Sequence, residues 1–223
     1  MIGITISSPN YSNSGIAEEA RKRFMRHTGL NCFVLHTTHE RNYTAKLQLS
    51  SIPKKGSVVF FDADLWFMKD VDLSPFDDKE EFIAVKDCDG HPYNCETWPD
   101  AFSYKDCKRL GMDTSKYFNG GFMIFNHRHV KIFDDALTHL RTKPEDFSDF
   151  GEQSAVNYAV QNSGVELKLL PVNYNTMIGG SIDIEDLCSD PYAIHAAGVP
   201  FEHKLDLLNF IIEQDLNNTN EKD

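Results

Sequence analysis

A chain of 223 residues is long enough to bury one sizeable core, and its 41% apolar and 25% charged shares are those of an ordinary globular protein. A formal charge of -12, from 22 basic and 34 acidic residues, excludes a general nucleic-acid or anionic-membrane binder. It leaves a phosphate-bearing ligand open, because a bound metal masks local carboxylates.

The first segment, IGITIS (2–7), alternates as a strand does, and SSPNYSNSG reads as a loop. IAEEARKRFMRHT carries a helical period and stops at Gly29. NCFVLHT (31–37) is a second strand, and YTAKLQLSSI is a helix that must end before Pro53. KKGSVVFFDAD is a turn followed by a buried strand, and EFIAVKD (81–87) is another strand. Residues 88–117 are polar and turn-rich and read as a long functional loop that carries the aromatics Tyr93, Trp98, Phe102 and Tyr104. FNGGFMIFN (118–126) is a strand with a glycine kink. HRHVKIFDDALTHLR and GEQSAVNYAVQNSG (151–164) are helices, the second ended near Gly164. VELKLLPVNYN is a strand leading into a loop, and a short final segment ends in IHAAG. Short apolar strands alternating with helices predict an α/β fold, a mostly parallel sheet flanked by helices on both faces. No repeat or linker divides the chain, so one domain is expected over 1–215, followed by a frayed polar tail at 216–223.

Cysteines stand at 32, 88, 95, 107 and 188; the count is odd, no CxxC pair occurs, and reduced thiols are expected. No stretch reaches the length of a membrane span, and MIGITISSPN lacks the basic-then-apolar order of a signal peptide. A cytoplasmic location follows as the expectation.

The stretch VVFFDADLWF places Asp62 and Asp64, with Ala63 between them, where a buried strand ends. An ionised carboxylate left unpaired in a core costs several kcal/mol, so these two face solvent or a cation. Residues i and i+2 of a strand return to one face roughly 6.6 Å apart, and a strand end or tight turn brings them together. Hard oxygen ligands suit Mg2+ or Mn2+, which commonly hold substrate phosphates as well. Ligands of open α/β sheets sit beyond the carboxyl ends of the strands, where this pair lies. Two chemistries use such a pair. One is an aspartate-nucleophile phosphatase of the haloacid-dehalogenase-like kind, whose opening motif VVFFDAD resembles. That motif usually lies on the first strand with Gly or Thr after the second Asp; here Leu65 and Trp66 follow. The other is a transferase whose metal bridges the carboxylates to a nucleotide-sugar diphosphate. A non-catalytic carbohydrate-binding protein is the third alternative.

Five stretches in order carry a resemblance: VVFFDADLWFMKDVDL, YFNGGFMIFN, GEQSAVN, LPVNYN and IHAAG. Together they resemble the metal-dependent glycosyltransferases of the GT-A fold, within them the glycogenin and lipopolysaccharide-galactosyltransferase family, glycosyltransferase family 8. The resemblance spans Ile2 to about Gly198. It implies a GT-A fold, Mn2+ or Mg2+, a nucleotide-diphosphate sugar (UDP-linked) as donor, a carbohydrate or other hydroxyl acceptor, and retention at the anomeric carbon. It implies Asp62, Asp64 and His195 as metal ligands, with Thr5, Ser7 and Tyr11 around the nucleoside and Tyr11 stacked on the base. Gly198 falls near the diphosphate and Lys46 near the diphosphate or the sugar, Lys86 more weakly. Asn119, Gly120, Gly121, Glu152 and Gln153 fall on the sugar side, with Asn119, Glu152 and Gln153 as the catalytic candidates. Two departures stand out. Glu152 replaces the family's usual Asp, and HAAGVPFEHKLD lacks the Lys-Pro-Trp after His-x-x-Gly, which leaves His203 or Lys204 to supply that charge. Retention by double displacement would need a carboxylate such as Glu152 on the far face of the sugar. A front-face route, in which the leaving phosphate deprotonates the acceptor, needs none and is preferred.

Overall fold

The computed structural model describes residues 1–38, 43–52, 55–87, 102–147, 151–178 and 190–220. A six-stranded sheet runs in the order β2–β1–β3–β6–β5–β7, formed by β1 (Ile2–Ser7), β2 (Cys32–His36), β3 (Ser57–Phe61), β5 (Phe82–Lys86), β6 (Phe118–Asn126) and β7 (Leu167–Leu170). β6 alone is antiparallel to its neighbours there, so the sheet is mostly parallel, as the pattern predicts. A smaller sheet joins β4 (Leu65–Phe67), β9 (Ala193–His195) and β8 (Thr176–Met177).

Strand alternation sorts the core into two layers. Val59, Phe61, Ile83, Val85, Phe122 and Ile124 pack toward α2 (Ile16–Thr28), the small sheet and α6 (Phe201–Asn220). Val58, Phe60, Phe82, Ala84, Met123 and Phe125 pack toward the 3-10 segment Tyr43–Ser51, α4 (Val130–Thr142) and α5 (Gly151–Asn162). β3 and β6 are buried along their whole length because both of their faces are covered.

Most expected elements are present. Gly29, at φ 70, caps α2 by donating its N–H to the Met25 carbonyl, the left-handed stop that glycine permits. Four segments differ from expectation. The stretch after β1 is not a loop: Pro9–Ser14 forms a short helix, α1, which Ser8 caps by accepting the Tyr11 N–H. A serine followed by proline is a helix start, but six residues are too few to show a period. The expected loop at 88–117 contains α3 (Phe102–Leu110), amphipathic enough to bury Cys107. Tyr93 and Trp98 lie outside the described residues. Leu65–Phe67 is a strand, paired with β9. The C-terminal segment is helical from Phe201 to Asn220, through the start of the expected polar tail, consistent with the absence of Gly or Pro between 201 and 220.

Cys32 and Cys107 are thiols outside any disulfide, as expected, and burial pushes the Cys32 thiol up to about 12. Cys88, Cys95 and Cys188 lie outside the described residues. Among the described residues no helix is long and apolar enough to cross a membrane.

One close approach sets how α2 sits on the sheet. The Phe24 ring lies over Gly3, where a Cβ would stand 2.4 Å from Phe24 Cε1, and it stacks on Phe61 at 4.8 Å. Gly3→Ala is expected to destabilise the fold by about 1–3 kcal/mol in urea unfolding, the usual cost of overpacking. In a Phe24→Leu background the same change should cost less, because the two positions share one contact.

Candidate functional site

The carboxyl ends of β1, β2, β3, β5 and β7 and the start of antiparallel β6 lie at one end of the large sheet. β3 leaves that end through the turn 62–65, closed by the Leu65 N–H on the Asp62 carbonyl at 3.0 Å. Two further backbone bonds fix the turn: Asp62 N–H donates to the Gly121 carbonyl at 2.9 Å and Ala196 N–H to the Asp64 carbonyl at 3.0 Å. The turn directs the two carboxylates to different neighbours while both still meet His195. His195 Nε2 stands 3.7 Å from Asp62 Oδ2 and 3.5 Å from Asp64 Oδ1. One ligand atom from each residue lies within 4.8 Å of the others. Adjacent ligands of an octahedral Mg2+ at 2.0–2.1 Å stand about 3 Å apart. Two carboxylates and an imidazole at these distances therefore fit a hard divalent cation after small rotamer adjustments.

Cations already stand over both aspartates. Lys46, on the Tyr43–Ser51 segment, places Nζ 3.5 Å from Asp62 Oδ1 and 3.7 Å from Glu152 Oε1. Burial alone would lower its pKa, but the charges of Asp62 and Glu152 raise it above the ordinary lysine value. Lys204, on the first turn of α6, donates to Asp64 Oδ2 and, at 2.7 Å, to the Tyr11 hydroxyl. That hydroxyl donates in turn to Asp64 Oδ2 at 3.2 Å, and the Tyr11 ring stacks on Phe201 at 5.8 Å. Burial works to raise the Asp64 pKa; a His195 ring carrying both protons, together with Lys204, outweighs it and holds the carboxyl well below the usual carboxylate range.

A hydrogen-bonded chain runs from His195 to α5. His195 Nδ1 meets Asn175 Oδ1 at 2.8 Å, and Asn175 Nδ2 donates to Asn119 Oδ1 at 3.0 Å. The same Asn119 oxygen accepts the Gly121 N–H at 2.8 Å. Asn119 Nδ2 donates to Asp87 Oδ1 at 3.3 Å and contacts Met177 Sδ at 3.2 Å. The other Asp87 oxygen accepts from Gln153 Nε2 at 3.1 Å, and Gln153 Oε1 takes the Gly120 N–H at 2.8 Å. Tyr117 lies beside Gln153 and Ser154; burial and the Asp87 charge raise its hydroxyl pKa well above the ordinary tyrosine value, so it stays neutral. One turn along α5, Asn157 accepts the Phe118 N–H and donates to the Phe118 carbonyl, both at 2.9 Å.

Asp62, Asp64, His195, Lys46, Lys204, Tyr11, Asn119, Glu152 and Gln153 are thus joined through direct contacts or one shared partner. The amides of Asn119 and Gln153 are both engaged in protein hydrogen bonds. Gly121 serves the histidine: a Cβ there would stand 2.3 Å from His195 Cε1. Ser7 is buried at the end of β1, 2.8 Å from the Ser12 hydroxyl. Thr5 is fully buried with no hydrogen-bond partner for its hydroxyl among the described residues. Ala63 is buried inside the turn. Gly198 is exposed between β9 and α6 at φ 72, a conformation that favours glycine. Sequence reasoning missed Asn175, Asp87, Tyr117 and Asn157. Asn175 and Asn157 lie within the quoted LPVNYN and GEQSAVN stretches, and Asp87 ends EFIAVKD, but nothing in their local spacing marks them.

The family model described as glycosyl transferase family 8 matches residues 11–198. A search of curated proteins finds no match. Among solved structures the chain is similar to the WbbM bifunctional glycosyltransferase in its apo form (TM-score 0.63, 16% identity, 92% of this chain and 48% of that one). The chain thus spans about half the length of that enzyme. It is similar to an active-site mutant of LgtC (TM-score 0.62, 14% identity, 89% of this chain and 88% of that one). It is also similar to a glycosyltransferase involved in glycosylating the major capsid of PBCV-1 (TM-score 0.65, 9% identity, 94% and 100%). The fold is that of the GT-A glycosyltransferases.

Gly121→Ala tests the packing of the site. The methyl group must displace His195, because the opposing contact is a ring held from both ends. The expected outcome is a folded protein in which a crystal structure shows the imidazole moved away from the Asp62–Asp64 pair. An unmoved ring would show that the strand yields instead.

Proposed function

The chain belongs to glycosyl transferase family 8 and is a glycosyltransferase, and we propose that it moves a sugar from a UDP-linked donor to a hydroxyl of a carbohydrate or similar acceptor, with retention, using Mn2+ or Mg2+ held by Asp62, Asp64 and His195. The convergence of these three residues, contributed by the ends of strands in two sheets, carries the reading. The family match sets aside the aspartate-nucleophile phosphatase and the non-catalytic binding protein.

When bound, the cation supplies Lewis-acid stabilisation of the departing nucleoside diphosphate. The chain's own residues do the rest. Asp62 and Asp64 fix where the diphosphate is met. Lys204, on the first turn of α6, supplies the positive charge that the family carries after His-x-x-Gly. Tyr11 flanks the same corner, and Thr5 and Ser7 lie at the end of the neighbouring strand toward the nucleoside. Lys46 links Asp62 to Glu152, which supports a role for Glu152 near the transferred sugar. Glu152 Oε1 is paired with Lys46 at 3.7 Å and would have to leave that partner to attack the sugar. That favours the front-face route, in which the leaving phosphate takes the acceptor proton. Gln153 and Asn119 hold the Gly120 and Gly121 amides and so shape the wall on which the sugar rests.

The direct test is to incubate the protein with Mn2+ and UDP-sugars, then follow UDP release and product anomeric configuration by NMR. Asp64→Ala is expected to lose at least about a hundredfold in turnover, beyond the 10–100-fold typical of groups that only support a metal ligand. Undiminished turnover in Asp64→Ala, or full wild-type turnover in EDTA, overturns the proposed site. Gln153→Ala should keep donor affinity near wild type but slow transfer at least tenfold, about 1.4 kcal/mol, because the wall it supports acts chiefly in the transition state. Transfer at the wild-type rate would remove Gln153 from the machinery.

A further inference from the structure

An imidazole binds a metal only through a nitrogen that carries no proton, and what the other nitrogen bonds decides which one that is. His195 presents Nε2 to Asp62 and Asp64 and Nδ1 to Asn175. An amide side chain can offer either its oxygen or its NH2 group, so Asn175 alone leaves the tautomer open. The neighbours remove that freedom one at a time.

The first fixed point is a backbone group. Gly121 N–H can only donate, and it points at Asn119 from 2.8 Å, so the Asn119 atom there is the oxygen. The second end of Asn119 agrees independently, because it faces the Asp87 carboxylate, which needs a donor. With its oxygen so placed, Asn119 requires a donor from Asn175 at 3.0 Å, which is the NH2 group. The remaining Asn175 atom, at 2.8 Å from His195 Nδ1, is therefore its oxygen. It demands N–H at Nδ1, and Nε2 of the neutral ring is left bare toward the two aspartates.

We infer that Asn175 is the positioning residue of this site, holding His195 in the Nδ1–H tautomer through the relay Gly121 N–H, Asn119, Asn175. The inference rests on the proposed metal site for its use in transfer, but the tautomer is a property of the metal-free protein. Asn175 is 4% exposed and His195 3%, so water does not readily replace either partner. The relay explains why a loop residue 20 positions before the histidine is buried with its polar atoms paired. It also gives Asn119 a structural role, since one end of its amide is held by backbone and the other by Asp87.

The test uses 15N-histidine-labelled, metal-free protein, with ring-nitrogen shifts read at a pH where the His195 ring carries one proton. Wild type should show a protonated Nδ1 and a bare Nε2. Asn175→Asp keeps an acceptor for Nδ1–H and should keep the tautomer. Asn175→Leu should lose it, giving a mixed or Nε2–H ring. Mn2+ affinity in the presence of UDP should fall about 10–100-fold in Asn175→Leu and less in Asn175→Asp. A wild-type ring protonated at Nε2 overturns the inference, as does Asn175→Leu with wild-type tautomer and affinity. Should Asn175→Leu fail to fold, the wild-type and Asn175→Asp spectra still decide, since Nε2–H in either refutes the relay. Asp62→Ala and Asp64→Ala separate the two readings. If the wild-type tautomer is as inferred but these variants bind Mn2+ and UDP undiminished, the metal site is wrong and the relay stands.

Discussion

The site depends on a break in the β6 ladder. Between Val85 paired with Asn119 and Ala84 paired with Met123, the β5–β6 register shifts, leaving Gly120, Gly121 and Phe122 outside regular pairing with β5. Buried backbone groups that lose a ladder partner must find another, at about 1–3 kcal/mol each if they do not. Side chains meet that demand here. Gln153 takes the Gly120 N–H and Asn119 takes the Gly121 N–H, while Asn157 takes both polar groups of Phe118, which stays in register with Lys86. Gln153 and Asn157 are four apart on α5, so they lie on one helix face and stitch the helix to the strand start. The Gly121 carbonyl accepts the Asp62 N–H, which ties the bulge to the aspartate turn. The irregular backbone is thus what brings α5, the aspartate turn and His195 to one place.

Glycine at 121 follows from this geometry. A strand that bulges toward a buried imidazole leaves no room for a Cβ, and the shortfall is large, 2.3 Å to the ring. Gly120 is less constrained, since a Cβ there would meet Gln153 and Lys46 at 3.5–3.6 Å, ordinary contact. The two adjacent glycines of one motif therefore answer to different demands.

The elements whose pattern repeats over many residues were legible in the sequence: β1, β3, β6, α2 and α5 fall within a residue or two of expectation, and α4 begins three residues late, after a 3-10 turn at His127–His129. Asp62, Asp64 and His195 were legible as a set because five short motifs occur in order, and the structure brings them together. What escaped was structure built by partners instead of periodicity. α1 is six residues long, and β4 is a three-residue strand that exists through β9. α6 begins just after the stretch where the expected Lys-Pro-Trp is missing, and no Ser, Thr, Asp or Asn cap precedes Phe201 to mark its start. Asn175 and Asp87 were invisible for a related reason: a hydrogen-bond relay over 56 positions, from Asn119 to Asn175, leaves no local spacing to read.

α6 also alters the charge balance of the site. Pro200 precedes the helix, and one turn carries Lys204 onto Asp64 while Phe201 stacks on Tyr11. A lysine delivered by a helix is held more firmly than one on a loop, since its backbone is fixed by the i to i+4 ladder and its stem by burial. Three carboxylates, Asp62, Asp64 and Glu152, then face two ammonium groups, Lys46 and Lys204. Under the proposed function a divalent cation adds two positive charges and a sugar-linked diphosphate adds two negative ones. Either ligand alone changes the charge of a largely buried cluster by two; both together leave it unchanged. In a setting of reduced dielectric, where each uncompensated charge is costly, the cation and the donor each favour the other's binding. The two lysines then set the resting balance that the pair must match.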